Sequence, residues 1–162
     1  MAALTTILTW TGLGIGGLLA LVVLSFVLYL VWTSLTGGLS PKGLEMEVSS
    51  PPLLGVDQEF VIAVTLRNLF DAERQVHSID FGKSLLKGFV IKQIEPTSKN
   101  DSSGLGTTAH YFDNLRISPR GHVHVKFSCH SVIAGDYSGT VSAYVDYKHT
   151  KSLDKTVRLV VR

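Results

Sequence analysis

No charged side chain occurs before Lys42. Inside that uncharged stretch, Ile7 to Val31 is dominated by Leu, Val, Ile, Phe and Ala, and Thr9, Thr11 and Ser25 can return their hydroxyl hydrogen bonds to their own helix. Roughly 25 residues rising about 1.5 Å each make a rod of about 37 Å, enough to cross a hydrocarbon core of about 30 Å with some tilt. Backbone groups in lipid must be satisfied within the segment, so it is expected to be a helix. Trp10 marks one end, and Tyr29 with Trp32 the other. Amphipathic rings prefer the headgroup level, which makes these three the expected interface residues.

A cleaved signal peptide is the competing reading. It wants a basic leading region, a shorter apolar core and a small-residue cleavage site. Met1 to Thr6 has no Lys or Arg, and nothing after Trp32 reads as A-x-A, so an uncleaved anchor is expected over residues 1–32. Gly12, Gly14 and Gly17 match G-x-G-x-x-G, but a dinucleotide fingerprint must follow a strand and open a soluble helix. Gly12, Gly16 and Ala20 instead recur every four residues on one helix face, where small side chains let another membrane helix approach closely. Residues 33–43, rich in Gly, Ser and Pro, form a linker.

Removing the anchor and linker leaves about 120 residues, enough for one domain with its own core. The formal net charge of +2 is too mild to point to nucleic acid. A single cysteine, Cys129, excludes an intrachain disulfide.

From Leu44 the apolar period becomes two. Leu44, Met46 and Val48 alternate with Glu45 and Glu47; Phe60, Ile62, Val64 and Leu66 follow and end at Asn68. Strands are also expected around Val76–Phe81, Phe89–Ile94 and Thr108–Phe112. Residues 99–107 read as a polar, mobile loop, and Asp71 to Arg74 as a helical turn or loop. The clearest alternation puts Val123, Val125, Phe127 and Cys129 on one side of a strand, and His122, His124, Lys126, Ser128 and His130 on the other. Tyr137 to Tyr147 and Val157 to Val161 complete about eight strands with no soluble helix, the pattern of an antiparallel β-sandwich over 44–162.

The run Pro119 to Val145, P-R-G-H-V-H-V-K-F-S-C-H-S-V-I-A-G-D-Y-S-G-T-V-S-A-Y-V, resembles the last third of bacterial immunoglobulin-like adhesion and CARDB-type domains. There a Pro-Gly turn leads into an alternating strand and a G-D-Y motif opens the next; Gln58 to Asn68 is similar to their second strand. The resemblance covers most of Leu44 to Arg162. It implies an immunoglobulin-like fold, no shared catalytic site, and roles in binding, spacing and assembly.

His122-x-His124 places two imidazoles on one strand face, near enough to share a metal, but a protein site wants a third ligand; the bland reading is a solvated histidine-rich face, and no metal or cofactor is expected. A copper site would join Cys129 to two histidines and usually a downstream Met, yet the only methionines, Met1 and Met46, lie upstream. The parity of Cys129 makes it a small core hydrophobe. No carboxylate pair, nucleophile elbow or phosphate loop stands out, so no enzyme is expected. Tyr137, Tyr144 and Tyr147, with His149, form a candidate contact surface; Tyr144, opposite in parity to Val141, Ala143 and Val145, is the outward one.

These readings converge on a non-catalytic, single-pass accessory subunit. Its helix packs among other transmembrane helices of a larger assembly, respiratory or photosynthetic, and its sandwich docks on the same complex. One alternative is an anchored adhesion or ligand-binding module on the extracytoplasmic face; another is a metal-binding redox domain using His122, His124 and Cys129. The side of the membrane divides the signals. Resemblance to adhesion domains implies the extracytoplasmic side, whereas Lys42 after the span and no Lys or Arg before it favour the cytoplasmic side.

Overall fold

The computed structural model describes Ser25 and residues 43–104, 106–146 and 152–162. The expected anchor, with Trp10, Gly12, Gly16, Ala20, Tyr29 and Trp32, therefore lies outside the described residues, apart from Ser25, which is helical and exposed. So do Tyr147, His149 and all of the linker but Gly43. Among the described residues no helix is long and apolar enough to cross a membrane. The chain divides into two units, Met1–Gly37 and Gly38–Arg162, and the fold below is that of the second.

Its elements are β1 (Leu44–Ser49), β2 (Leu53–Leu54), β3 (Glu59–Asn68), β4 (Arg74–Gly82), α1 (Lys83–Leu86), β5 (Phe89–Glu95), β6 (Asn100–Ser103), β7 (Thr107–Tyr111), β8 (Arg116–Ile117), β9 (His122–Ser131), β10 (Gly135–Val145) and β11 (Ser152–Val161). One sheet runs β1-β3-β9-β5; the other runs β2-β11-β10-β4-β7-β6, with β8 paired to β4. Every pairing is antiparallel except β2 with β11. Leaving aside the short β2 and β8 and the β6–β7 hairpin, the seven remaining strands place the first, second, fifth and fourth on one side, facing the last, penultimate and third, the strand order of an immunoglobulin-like sandwich; here the β6–β7 hairpin extends the second sheet.

The two-residue period does the folding work. In β3 the side chains of Phe60, Ile62, Val64 and Leu66 are buried, and in β9 those of Val125, Phe127 and Cys129. Rings close the gap between sheets: Phe81 and Phe127 meet edge to face at 4.8 Å. Within the first sheet Phe60 and Phe89 do the same at 5.4 Å.

Three expectations need correction, and one open alternative is decided. Residues 100–103 are a strand, because all four side chains are exposed and backbone pairing with β7 needs no apolar pattern. Of the two readings of residues 71–73, a helical turn or a loop, the structure has the loop, and Arg74 opens β4 with its side chain buried. A short helix does occur, α1, whose Leu85 fills the space beside Gly139 of β10. The last strand begins at Ser152, five residues before the first apolar position that reveals it.

Buried polar side chains act as local staples. Asn68 keeps the inward parity of β3 and is fully buried. Its Nδ2 donates to the carbonyls of Ala72 (2.7 Å) and Ser118 (3.2 Å), and its Oδ1 accepts the Phe70 amide at 3.0 Å. A strand end inside the core would otherwise leave turn groups unpaired.

Candidate docking surface

The sandwich has two ends. The chain enters at the near end, where Leu44 pairs with Asn68. The far end lies about 30 Å away along the ten-residue β3. Here the 50–58 connection and the β9–β10 turn come together.

The 50–58 connection is fastened to the end of β9 by one side chain. Ser131 is fully buried. Its Oγ donates to the Gly55 carbonyl at 2.6 Å and accepts the Gln58 amide at 2.9 Å. The Asp57 amide donates to the Ser131 carbonyl at 3.2 Å, and the Val132 amide to that of Gly88 at 2.9 Å. Gln58 turns its Oε1 back onto the Gly55 amide at 2.7 Å. His130 Nε2 donates to Asp57 Oδ1 at 2.7 Å, tying the turn to β9. Tyr137 belongs to this framework and not to an open contact surface. Its hydroxyl donates to the Ile133 and Ala134 carbonyls, and its ring lies where a side chain on Gly88 would have to be.

A rigid backbone therefore holds apolar side chains out in solvent. Seven large apolar residues are exposed among the described residues. Leu53 (56% exposed), Val56 (46%), Val132 (40%) and Ile133 (58%) sit at the far end. Val61 and Val90 lie on the adjoining sheet face, the third residue of β3 and the second of β5. The seventh, Phe70, is at the near end under the Arg74 guanidinium. Scattered apolar side chains need no explanation, but four on two adjoining loops, with two more on the neighbouring sheet face, make this end the candidate interaction surface. Sequence reasoning missed it: each residue is unremarkable in its own segment, and Ser131 reads as the polar end of a strand.

The other expected site residues fall elsewhere. Tyr144 is half-buried on the outer face of the larger sheet, between Ser78 and Ser152 in register. In the next row lie Ala109, Asp80, Ser142 and Asp154. Burial first, then the carboxylates of Asp80 and Asp154, raise the Tyr144 phenol above its ordinary range. Asp80 is itself buried and accepts a hydrogen bond from Ser78 Oγ at 2.8 Å.

His122 and His124 are exposed and adjacent, their ring centroids 4.8 Å apart. Cys129 points into the core from the opposite face of β9, so the three-residue redox set is not brought together. Burial pushes the Cys129 thiol up to about 12. Thiolate chemistry is thereby suppressed at neutral pH. Cys129 is accordingly expected to resist maleimide in the native protein at pH 8 and to react fully in strong denaturant. Rapid native labelling, read by mass, would contradict the buried placement.

No protein-family model matches the chain, and no curated protein matches it. Among solved structures it is similar to a cohesin module from a family 33 glycoside hydrolase of Clostridium perfringens, at 12% identity and a TM-score of 0.48, covering 73% of this chain and 96% of that one. It is also similar to the CARDB domain of the PF1109 protein from Pyrococcus furiosus, in complex with di-metal ions, at 14% identity and a TM-score of 0.45, covering 74% and 87%. A third likeness is to the cupredoxin domain of amoB from Nitrosocaldus yellowstonii, at 11% identity and a TM-score of 0.40, covering 64% and 55%. Likenesses at these scores carry no argument about function, and the immunoglobulin-like assignment rests on the strand order of the chain itself.

Proposed function

We propose that the protein is a non-catalytic, single-pass membrane accessory subunit whose sandwich docks on a partner in the same assembly through its far end. The observation that carries this reading is the exposure of Leu53, Val56, Val132 and Ile133 at one end of the sandwich, on a connection fastened by Ser131 and a turn fastened by Tyr137. Preorganised apolar side chains lose little freedom on binding, which favours a stable contact. The first strand of the sandwich begins at the opposite end, where Leu44 pairs with Asn68, and leaves this end free of it. Anchoring rests on the uncharged run Ile7 to Val31, helix packing on Gly12, Gly16 and Ala20, and a cytoplasmic sandwich on Lys42.

Affinity purification of the full chain from native membranes in mild detergent tests this. The expected result is co-purification of discrete partner subunits. Val132→Asp with Ile133→Asp should remove them, with an unchanged melting profile, because both side chains are solvent-exposed. Wild-type protein emerging alone and monodisperse would defeat the proposal.

A further inference from the structure

We propose that His122 and His124 form a chelate for a borderline divalent transition-metal ion, Cu(II) foremost. This site lies apart from the docking surface and stands whether or not docking occurs.

The two histidines sit two residues apart on β9 and share its outer face. A metal about 2.0–2.1 Å from an imidazole nitrogen lies about 3.2 Å from that ring's centroid, so two rings about 90–110° apart around one metal have centroids about 4.5–5.2 Å apart. The observed separation is 4.8 Å. The centroid separation is therefore within the range that two imidazoles sharing one ion would have.

Neighbouring strands add two features. Thr65 of β3 is the register partner of His124, and its Oγ1 is 2.9 Å from His124 Nδ1. With the Nδ1 proton donated to Thr65, the lone pair is left on Nε2, the usual supporting arrangement for a ligating histidine. Arg67, the register partner of His122, has Nη1 3.9 Å from the Glu45 carboxylate. That contact offsets a positive charge that would otherwise oppose a cation.

The chain supplies two ligands at this place. Glu47 stands in the same cross-strand row as Thr65 and His124, two strand spacings or about 10 Å from His124, too far to ligate. Among the described residues no group of three or more His, Cys, Asp or Glu side chains is placed to hold a metal. Water therefore completes the coordination. Two imidazoles with water are a donor set that favours Cu(II) over the other first-row divalent ions. His130, on the same face, is about 20 Å from His124 and engaged with Asp57.

The test is titration of the full chain in detergent, without a polyhistidine tag, using Cu(II) followed by calorimetry and electron paramagnetic resonance. The expected result is one ion per chain, with two nitrogen couplings in the spectrum. His122→Ala and His124→Ala should each weaken binding about tenfold or more and leave one coupling. Thr65→Val, which keeps the side-chain shape, should weaken it about tenfold by releasing His124. His130→Ala should change nothing. Unaltered affinity in the double His122→Ala, His124→Ala variant overturns the proposal, as does an equal loss in His130→Ala.

Discussion

Phe127→Ala is expected to lower the unfolding free energy by about 3–5 kcal/mol, the range for truncating a fully buried aromatic. The ring is wholly buried in the middle of β9. It touches Phe81 of the opposite sheet at 4.8 Å and the His110 ring at 5.6 Å. Its walls belong to hydrogen-bonded strands, which cannot slide inward without breaking register, so the cavity collapses poorly. His110 adjoins the cavity: its Nδ1 donates to Asp101 at 2.7 Å, whereas its buried Nε2 has no hydrogen-bond partner. The effect is read as a lower urea midpoint at unchanged slope. Phe60→Ala, at a site still 8% exposed, should cost less. A Phe127→Ala loss below about 1.5 kcal/mol would show that the two sheets repack.

The second large effect concerns Arg74 and Asp146. The Arg74 side chain is 2% exposed, that of Asp146 23%. Arg74 Nη1 donates to Asp146 Oδ2, and the guanidinium lies 4.9 Å from the Phe70 ring centroid. Asp146 also fastens the end of β10: its Oδ1 accepts the Gln75 amide at 3.0 Å and its own amide donates to the Gln75 carbonyl at 2.7 Å. Asp146→Ala strands a buried guanidinium and is expected to cost about 3–5 kcal/mol. Part of that is backbone strain, since Asp146 has φ +64°, a region Asn and Asp tolerate better than Ala. Asp146→Asn isolates the charge and should cost less. Arg74→Met should cost least, about 1–3 kcal/mol, because the remaining carboxylate is partly hydrated and keeps the Gln75 amide. The expected order is therefore Asp146→Ala, then Asp146→Asn, then Arg74→Met. Arg74→Met proving the most damaging would mean that the arginine acts chiefly through its packing on Phe70.

Much of the sandwich is legible in the residues alone. The inward sets of β3 and β9 follow from strict alternation, and so does the outward placing of His122 and His124. What escapes the pattern has a common character. Strand β6 carries only exposed polar side chains, and β2 and β8 are two residues long, too short for any period to show. Arg74 and Asn68 are buried despite their polarity because each satisfies groups brought close by folding. No local rule marks them. The proposed docking surface escapes for the same reason, since the segments carrying Val56 and Val132 are brought to one end only when Ser131 bonds to Gly55, Asp57 and Gln58.

The order of apolar and polar residues by itself determined which stretches extend and which side of each faces inward, because successive side chains on a strand point to opposite faces whatever their partners. Tertiary structure alone decided which strands adjoin, and therefore which outward residues meet. Thr65 reaches His124, Asp57 reaches His130, and Arg74 reaches Asp146 across sequence separations of 59, 73 and 72 residues. Pairings at that separation depend on the register of whole sheets, a collective property that no single segment carries.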